Sequence, residues 1–253
     1  MYFDTHAHYD NPRFDLDRRA LLERLPRLGI SLVINPGCDM ATSRTAVGFS
    51  EDYPHIYATV GFHPHYTRSM QEGDLEKLEA LTRRPKVVAV GEIGLDYHYD
   101  HSPRDVQRRC FRQQMDIARK VDMPTIVHQR EAAEDTLAVL RDYRDVIGVV
   151  HCFSGSLEVA KEMLDLGWYL SFTGVITYKN ARRSHEIIRY MPKDRLLLET
   201  DAPYMAPEPN RGRRCSSLDL PEIAEAVAEL WGITLEETAR QTTENGKRLF
   251  RIE

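Results

Sequence analysis

The sequence predicts an α/β protein folded as one TIM-like (β/α)8 barrel. Eight short runs rich in Val, Ile, Leu and aromatic residues alternate with longer amphipathic stretches from one end of the chain to the other. The chain has 253 residues, close to the roughly 250 that one such barrel takes. Most telling, His6, His8, Glu92, His128, His151 and Asp201 each stand at or just past the end of an apolar run, and a closed parallel barrel brings strand ends to one point.

The strands are expected, in order, at 1–5 around Tyr2 and Phe3, 32–35, 56–60, 86–90, 125–127, 147–150, 169–172 and 195–199. Between the fourth and fifth strands, 103–121 reads as a helix, with Val106, Cys110, Ile117 and Val121 on one face, Ser102 as N-cap and Pro103 in the first turn. A second clear helix is 220–231, where Ile223, Val227 and Leu230 share a face and Gly232 supplies the stop. A short helix at 235–240 is expected to seal the barrel's end. No linker, repeat or low-complexity segment divides the chain, so residues 1–253 are read as one domain; the stretch 206–214 is the most irregular and reads as a loop. A doubly wound open sheet is disfavoured because no G-x-G-x-x-G or phosphate loop marks a nucleotide crevice.

With 42% hydrophobic and 29% charged residues, the chain has the composition of a globular protein able to bury a core. The N-terminal residues show no basic region followed by an apolar stretch, and no run approaches membrane-spanning length, so no membrane association and a cytoplasmic location are expected. Cys38, Cys110, Cys152 and Cys215 are widely spaced and form no C-x-x-C pair, which indicates neither a disulfide framework nor a zinc knuckle. A net charge of −5 gives no general attraction to polyanions, so a nucleic acid would have to be met by locally basic loops.

Residues two apart on a strand face the same side, so His6 and His8 can grip one ion together. Of the ten histidines, only His55 and His185 lie away from the expected C-terminal face of the barrel; structural histidines would be spread over both rims. Six ligand candidates exceed what one tetrahedral ion takes, and suit two divalent ions sharing a bridging carboxylate, for which Glu92 is the natural choice. Gly91 and Gly94 beside it would let backbone approach closely, while Asp96 reads either as support for a ligand or as an ordinary turn cap. Imidazole favours zinc or manganese-like ions, and magnesium stays open.

Asp201 is expected to be both a ligand and a general base, with Glu92 beside it in the catalytic group, while the ions acidify a bound water. His63, His65 and Arg130 are assigned to substrate as donors outside the ligand set. Lys179, Arg182, Arg183, Arg211, Arg213 and Arg214 form basic loops that either flank the mouth or are simply solvated; Tyr66, Tyr97 and Tyr178 either stack bases or pack at the rim.

Six motifs together are specific: Asp4-Thr5-His6-Ala7-His8, Gly61-Phe62-His63-Pro64-His65, Gly91-Glu92-Ile93-Gly94-Leu95-Asp96-Tyr97, Val127-His128-Gln129-Arg130, His151-Cys152-Phe153-Ser154-Gly155 and Leu198-Glu199-Thr200-Asp201-Ala202-Pro203-Tyr204. Through them nearly the whole chain resembles the TatD family of metal-dependent hydrolases, within the amidohydrolase-like barrels. The resemblance implies that His6, His8, Glu92 and Asp201 hold one ion and Glu92, His128 and His151 the other. It also implies hydrolysis of phosphodiester bonds in DNA, in the 3'-5' exonuclease manner on single strands. One departure stands out: Arg214 is followed by Cys215-Ser216-Ser217 where many members resemble Asn-Glu-Pro, a change expected to leave the metal ligands untouched and to bear, if at all, on substrate fit. Two other classes stay open on the residues alone. One is an amidase, lactonase, deacylase or small phosphoesterase using the same centre, and the other is a metal-dependent binding protein without activity.

Overall fold

The computed structural model describes residues 1–253. Its eight strands are β1 (Tyr2–Asp4), β2 (Ile30–Asn35), β3 (Ile56–Val60), β4 (Val87–Asp96), β5 (Thr125–Arg130), β6 (Gly148–Val150), β7 (Tyr169–Phe172) and β8 (Leu196–Leu198), hydrogen-bonded in chain order. All neighbouring pairs are parallel, so each step needs a crossover, and a helix supplies it. The crossovers are α1 (Arg18–Arg24), α2 (Met40–Asp52), α3 (Asp74–Leu81), α4 (Arg104–Val121), α5 (Ala133–Asp142), α6 (Leu157–Asp165) and α7 (Arg182–Tyr190); α8 (Leu220–Trp231) and α9 (Leu235–Phe250) follow the last strand.

The ring closes between its first and last staves just beyond their regular ends. Thr5 donates from its amide and its hydroxyl to the Leu198 carbonyl, Asp201 N–H donates to the His6 carbonyl, and Ala7 bridges Ala202 in parallel. This places 6–8 and 200–202 side by side at the C-terminal rim, where barrels of this kind carry their chemistry.

The expected strands are all present, with shifted ends. The largest difference is β4, which runs on to Asp96 instead of stopping at Val90, with an irregular register against β5 between Val90 and Ile93. The polar residues that ended the periodic apolar pattern are therefore inside the ladder. Gly94, at φ +133°, lets the two strands touch, since a Cβ there would lie 2.1 Å from the His128 carbonyl oxygen.

α4 begins as expected, but Ser102 is not its cap. Pro103 holds that position without a side-chain bond, and the buried Ser102 hydroxyl instead donates to the His65 carbonyl and accepts from Arg68 N–H. The final helix is longer than 235–240: a Thr234–Glu237 capping box starts it and it continues to Phe250. Its end does seal the barrel. Leu249, Phe250 and Ile252 pack with Phe3, Ile34, Ala89, Ile126, Val149, Tyr169 and Leu197, a plug drawn from nearly every stave. The remaining core joins the outer faces of the strands to the helices. All four cysteines are free thiols, and no helix is long and apolar enough to cross a membrane.

Candidate metal centre

Glu92 is the middle of the site. It is 2% exposed, and its amide donates to the Gly37 carbonyl, which fixes the backbone beneath it. Its two carboxylate oxygens face different partners. Oε2 lies 3.3 Å from His6 Nε2 and 3.7 Å from His8 Nε2; Oε1 lies 2.9 Å from His151 Nε2, 3.1 Å from His128 Nδ1 and 3.3 Å from His63 Nε2. Asp201 Oδ1 completes the first group, 3.8 Å from His6 Nε2 and 3.5 Å from His8 Nε2.

The imidazole nitrogens meet in pairs, His6 Nε2 with His8 Nε2 at 3.1 Å and His128 Nδ1 with His151 Nε2 at 3.2 Å. Ligands about 2.0 to 2.1 Å from one ion sit roughly 2.9 to 3.4 Å apart at octahedral and tetrahedral angles. The donor set therefore fits divalent cations. Gathered around two buried carboxylates, it also supplies both the nitrogen and oxygen donors that first-row ions take.

Three carboxylates brace the cluster from behind, two of them against imidazole rings. Asp96 Oδ2 holds His128 Nε2 at 3.0 Å and His65 Nε2 at 2.9 Å, which turns His128 Nδ1 toward Glu92. Asp96 Oδ1 accepts from His98 and Tyr99 N–H, so this side chain orients the ring of a candidate ligand and caps a turn at once. Its own amide donates to Gln107 Oε1 from α4. Glu199, not singled out from the sequence, is 1% exposed and stands 3.4 Å from His151 Nδ1. Cys152 N–H and the Ser171 hydroxyl bond its two oxygens. Third, Asp4 is buried and accepts from the Thr200 and Ser217 hydroxyls and from Thr200 N–H. Ser217 also bonds the Tyr9 hydroxyl, so the departing loop at 215–217 braces the strand ends carrying His6, His8 and Asp201 from behind.

Charge follows the geometry. Burial pushes Glu92 up, but His63, His151, His6 and the bond to His128 outweigh it and hold the carboxyl well below its usual range. Asp201 is likewise held low, burial being overcome by its bond to His8 and the nearby His6, His8 and His151. Asp96 is held low by His128, His65 and Tyr99 N–H against its own burial. Burial raises Asp4 to about 7 despite its donors. Burial is the largest influence on His8, His128 and His151 and lowers all three, yet neighbouring carboxylates raise each above the ordinary histidine value.

The residues assigned to substrate are distributed around this centre. His63 Nδ1 accepts from His65 N–H, so its Nε2 carries the proton and donates toward Glu92 Oε1; it is a hydrogen-bond donor at the edge of the ligand set. His65 commits Nε2 to Asp96. The Arg130 guanidinium lies 4.7 Å from the Tyr99 ring centroid and has no ionic partner. Among the basic loops, Arg214 is committed: it makes a two-pronged pair with Asp17 and bonds the Arg13 carbonyl. Arg211 stacks on Tyr178 and lies 3.8 Å from Glu208. Tyr97 is held by Asp135 and covered by Arg104, and Tyr178 bonds the Ala206 carbonyl, whereas Tyr66 remains 47% exposed.

Residues 3–251 match the family model described as TatD related DNase. A Bacillus subtilis protein named uncharacterized metal-dependent hydrolase YabD is 44% identical over 254 residues, covering 100% of both chains. The 3'-5' ssDNA/RNA exonuclease TatD of Salmonella typhimurium is 31% identical over 258 residues, covering 99% of each. Among solved structures, the Escherichia coli TatD homolog YJJV superposes with a TM-score of 0.93 at 32% identity, covering 100% of this chain and 98% of its own.

Proposed function

The chain belongs to the TatD-related DNase family, and on that premise we propose that it is a metal-dependent hydrolase of phosphodiester bonds, acting on single-stranded DNA as a 3'-5' exonuclease. The observation that carries the reading is the division of Glu92, one oxygen facing His6 and His8 and the other facing His128 and His151. Divalent metal held by these residues would supply an acidified water and positive charge opposite the phosphoryl oxygens.

The protein's own groups do the rest. His6, His8, Glu92 and Asp201 hold one position, and Glu92, His128 and His151 the other. Asp201, kept ionised at neutral pH, accepts the proton of the attacking water. His63 Nε2–H points at Glu92 Oε1 from the edge of the centre, where a phosphoryl oxygen would compete with the carboxylate for it. Arg130, over the Tyr99 ring and free of carboxylates, offers a fork to a neighbouring phosphate.

The test is cleavage of end-labelled single-stranded DNA by chelator-stripped protein, with Mg, Mn or Zn restored singly. A ladder growing from the 3' end, absent with Glu92→Ala and reduced roughly 100-fold or more with Asp201→Ala, is expected. Metal-replete protein that leaves DNA intact but hydrolyses acyl or small phosphate esters would move the reading to those substrates.

A further inference from the structure

We infer that the surface beside the centre, between Tyr66 and His101, binds one further nucleotide of the substrate strand, with Arg68 holding its phosphate and His101 carrying its base. The inference deepens the phosphodiester reading and rests on it.

A cavity of about 580 Å³ opens here, lined by His65, Tyr66, Arg68, Ser69, Asp100 and His101. Ligand sites of roughly 300 to 1,000 Å³ are typical for small molecules of nucleotide size. It begins at the metal centre, because His65 and the ligand His128 share Asp96 Oδ2. From there the rings step outward: His65 to His101 is 4.7 Å between centroids, and His101 lies nearly parallel to Tyr99, 15° between planes at 5.5 Å. Planar, exposed rings beside positive charge are what a sequence-tolerant single-strand site uses.

The charge is available. The Arg68 guanidinium makes no hydrogen bond or ion pair, unlike most arginines of this chain. Asp100, the one carboxylate in the lining, is engaged by Arg104 through both oxygens. The floor is also fixed, since the Ser102 hydroxyl ties the His65 carbonyl to Arg68 N–H across the two loops. Arg68 also lines a neighbouring groove, whose other charged residues are Glu72, Glu76 and Arg109.

The test compares a tetranucleotide with bis(4-nitrophenyl) phosphate, which offers only the reacting diester, using manganese-restored wild type, Arg68→Ala, Arg68→Lys and His101→Ala. The ratio of kcat/KM for the two substrates should fall roughly tenfold in Arg68→Ala, mostly through KM, with partial recovery in Arg68→Lys. The salt dependence of tetranucleotide KM should weaken by about one phosphate contact in Arg68→Ala. His101→Ala should lower the ratio without changing the salt slope. A wild type that cleaves both substrates, with the ratio unmoved in Arg68→Ala and His101→Ala, overturns the subsite alone. A wild type that cleaves neither overturns the phosphodiester reading and the subsite with it.

Discussion

His128 turns Nδ1 toward Glu92 because Asp96 occupies its Nε2, so in the proposed centre the carboxylate behind the ring sets which nitrogen would meet an ion. Asp96→Asn should lower metal affinity or turnover roughly 10- to 100-fold, with metal titration as the readout and an unchanged fold as the control. His8 makes a second prediction. Burial lowers its ring, but the bond to Asp201 and the charges of Glu92 and Asp201 outweigh that and raise it to about 9 from an unfolded value of 6.5. In ion-free protein the His8 cation therefore contributes stability that is complete below pH 6.5 and lost as pH rises through about 9. A bound ion takes that proton's place. Thermal melts from about pH 6 to 10 should show the chelated protein losing Tm toward the alkaline end while the loaded protein holds it; parallel curves would contradict the assignment.

At the level of elements, the site depends on how β3, β4 and β5 are held together. Two buried glutamines of α4 do part of this: Gln107 bonds both the amide and the carbonyl of Asp96, and Gln114 both those of Phe62. On a helix otherwise marked by its apolar stripe, these glutamines look like solvent-facing residues in sequence, and their role appears only when α4 is laid on the sheet. Gly94→Ala is the corresponding test. It would force a side chain onto φ +133° and a Cβ to 2.1 Å from the His128 carbonyl oxygen. The expected loss is at least about 2 kcal/mol in urea unfolding, accompanied by weaker metal binding, because the displaced strand carries a ligand. A variant as stable as the parent would show that the close approach is not required.

For the whole molecule, chemistry and stability are separated along the barrel axis. The ligands gather at one rim, and the plug of Leu249, Phe250 and Ile252 fills the other. Phe250→Ala should cost roughly 3 to 5 kcal/mol while leaving metal affinity near the parent value, measured by denaturant melts beside metal titration. A large drop in affinity without loss of stability would mean that the two ends are coupled.

Strand order, barrel class and the histidines and carboxylates that converge were legible because each leaves a local mark. Apolar runs have a period, caps and glycines punctuate them, and a polar residue just past a run announces the rim. His6 and His8 could be paired from spacing alone, since the strand's alternation fixes their common side. Glu199 could not be given a role that way. A carboxylate at a strand end looks the same whether it holds an ion or a ring, and only contact with Cys152, Ser171 and His151 tells which. The extension of β4 through Glu92, the brace from Ser217 to Asp4, and the capture of Arg214 by Asp17 are of the same kind. Sequence by itself determined the staves and the donor types, which follow from short-range periodicity and side-chain chemistry. Tertiary structure decided which nitrogen faces inward and which arginines stay free, because those depend on partners far apart in the chain that meet only when the barrel closes.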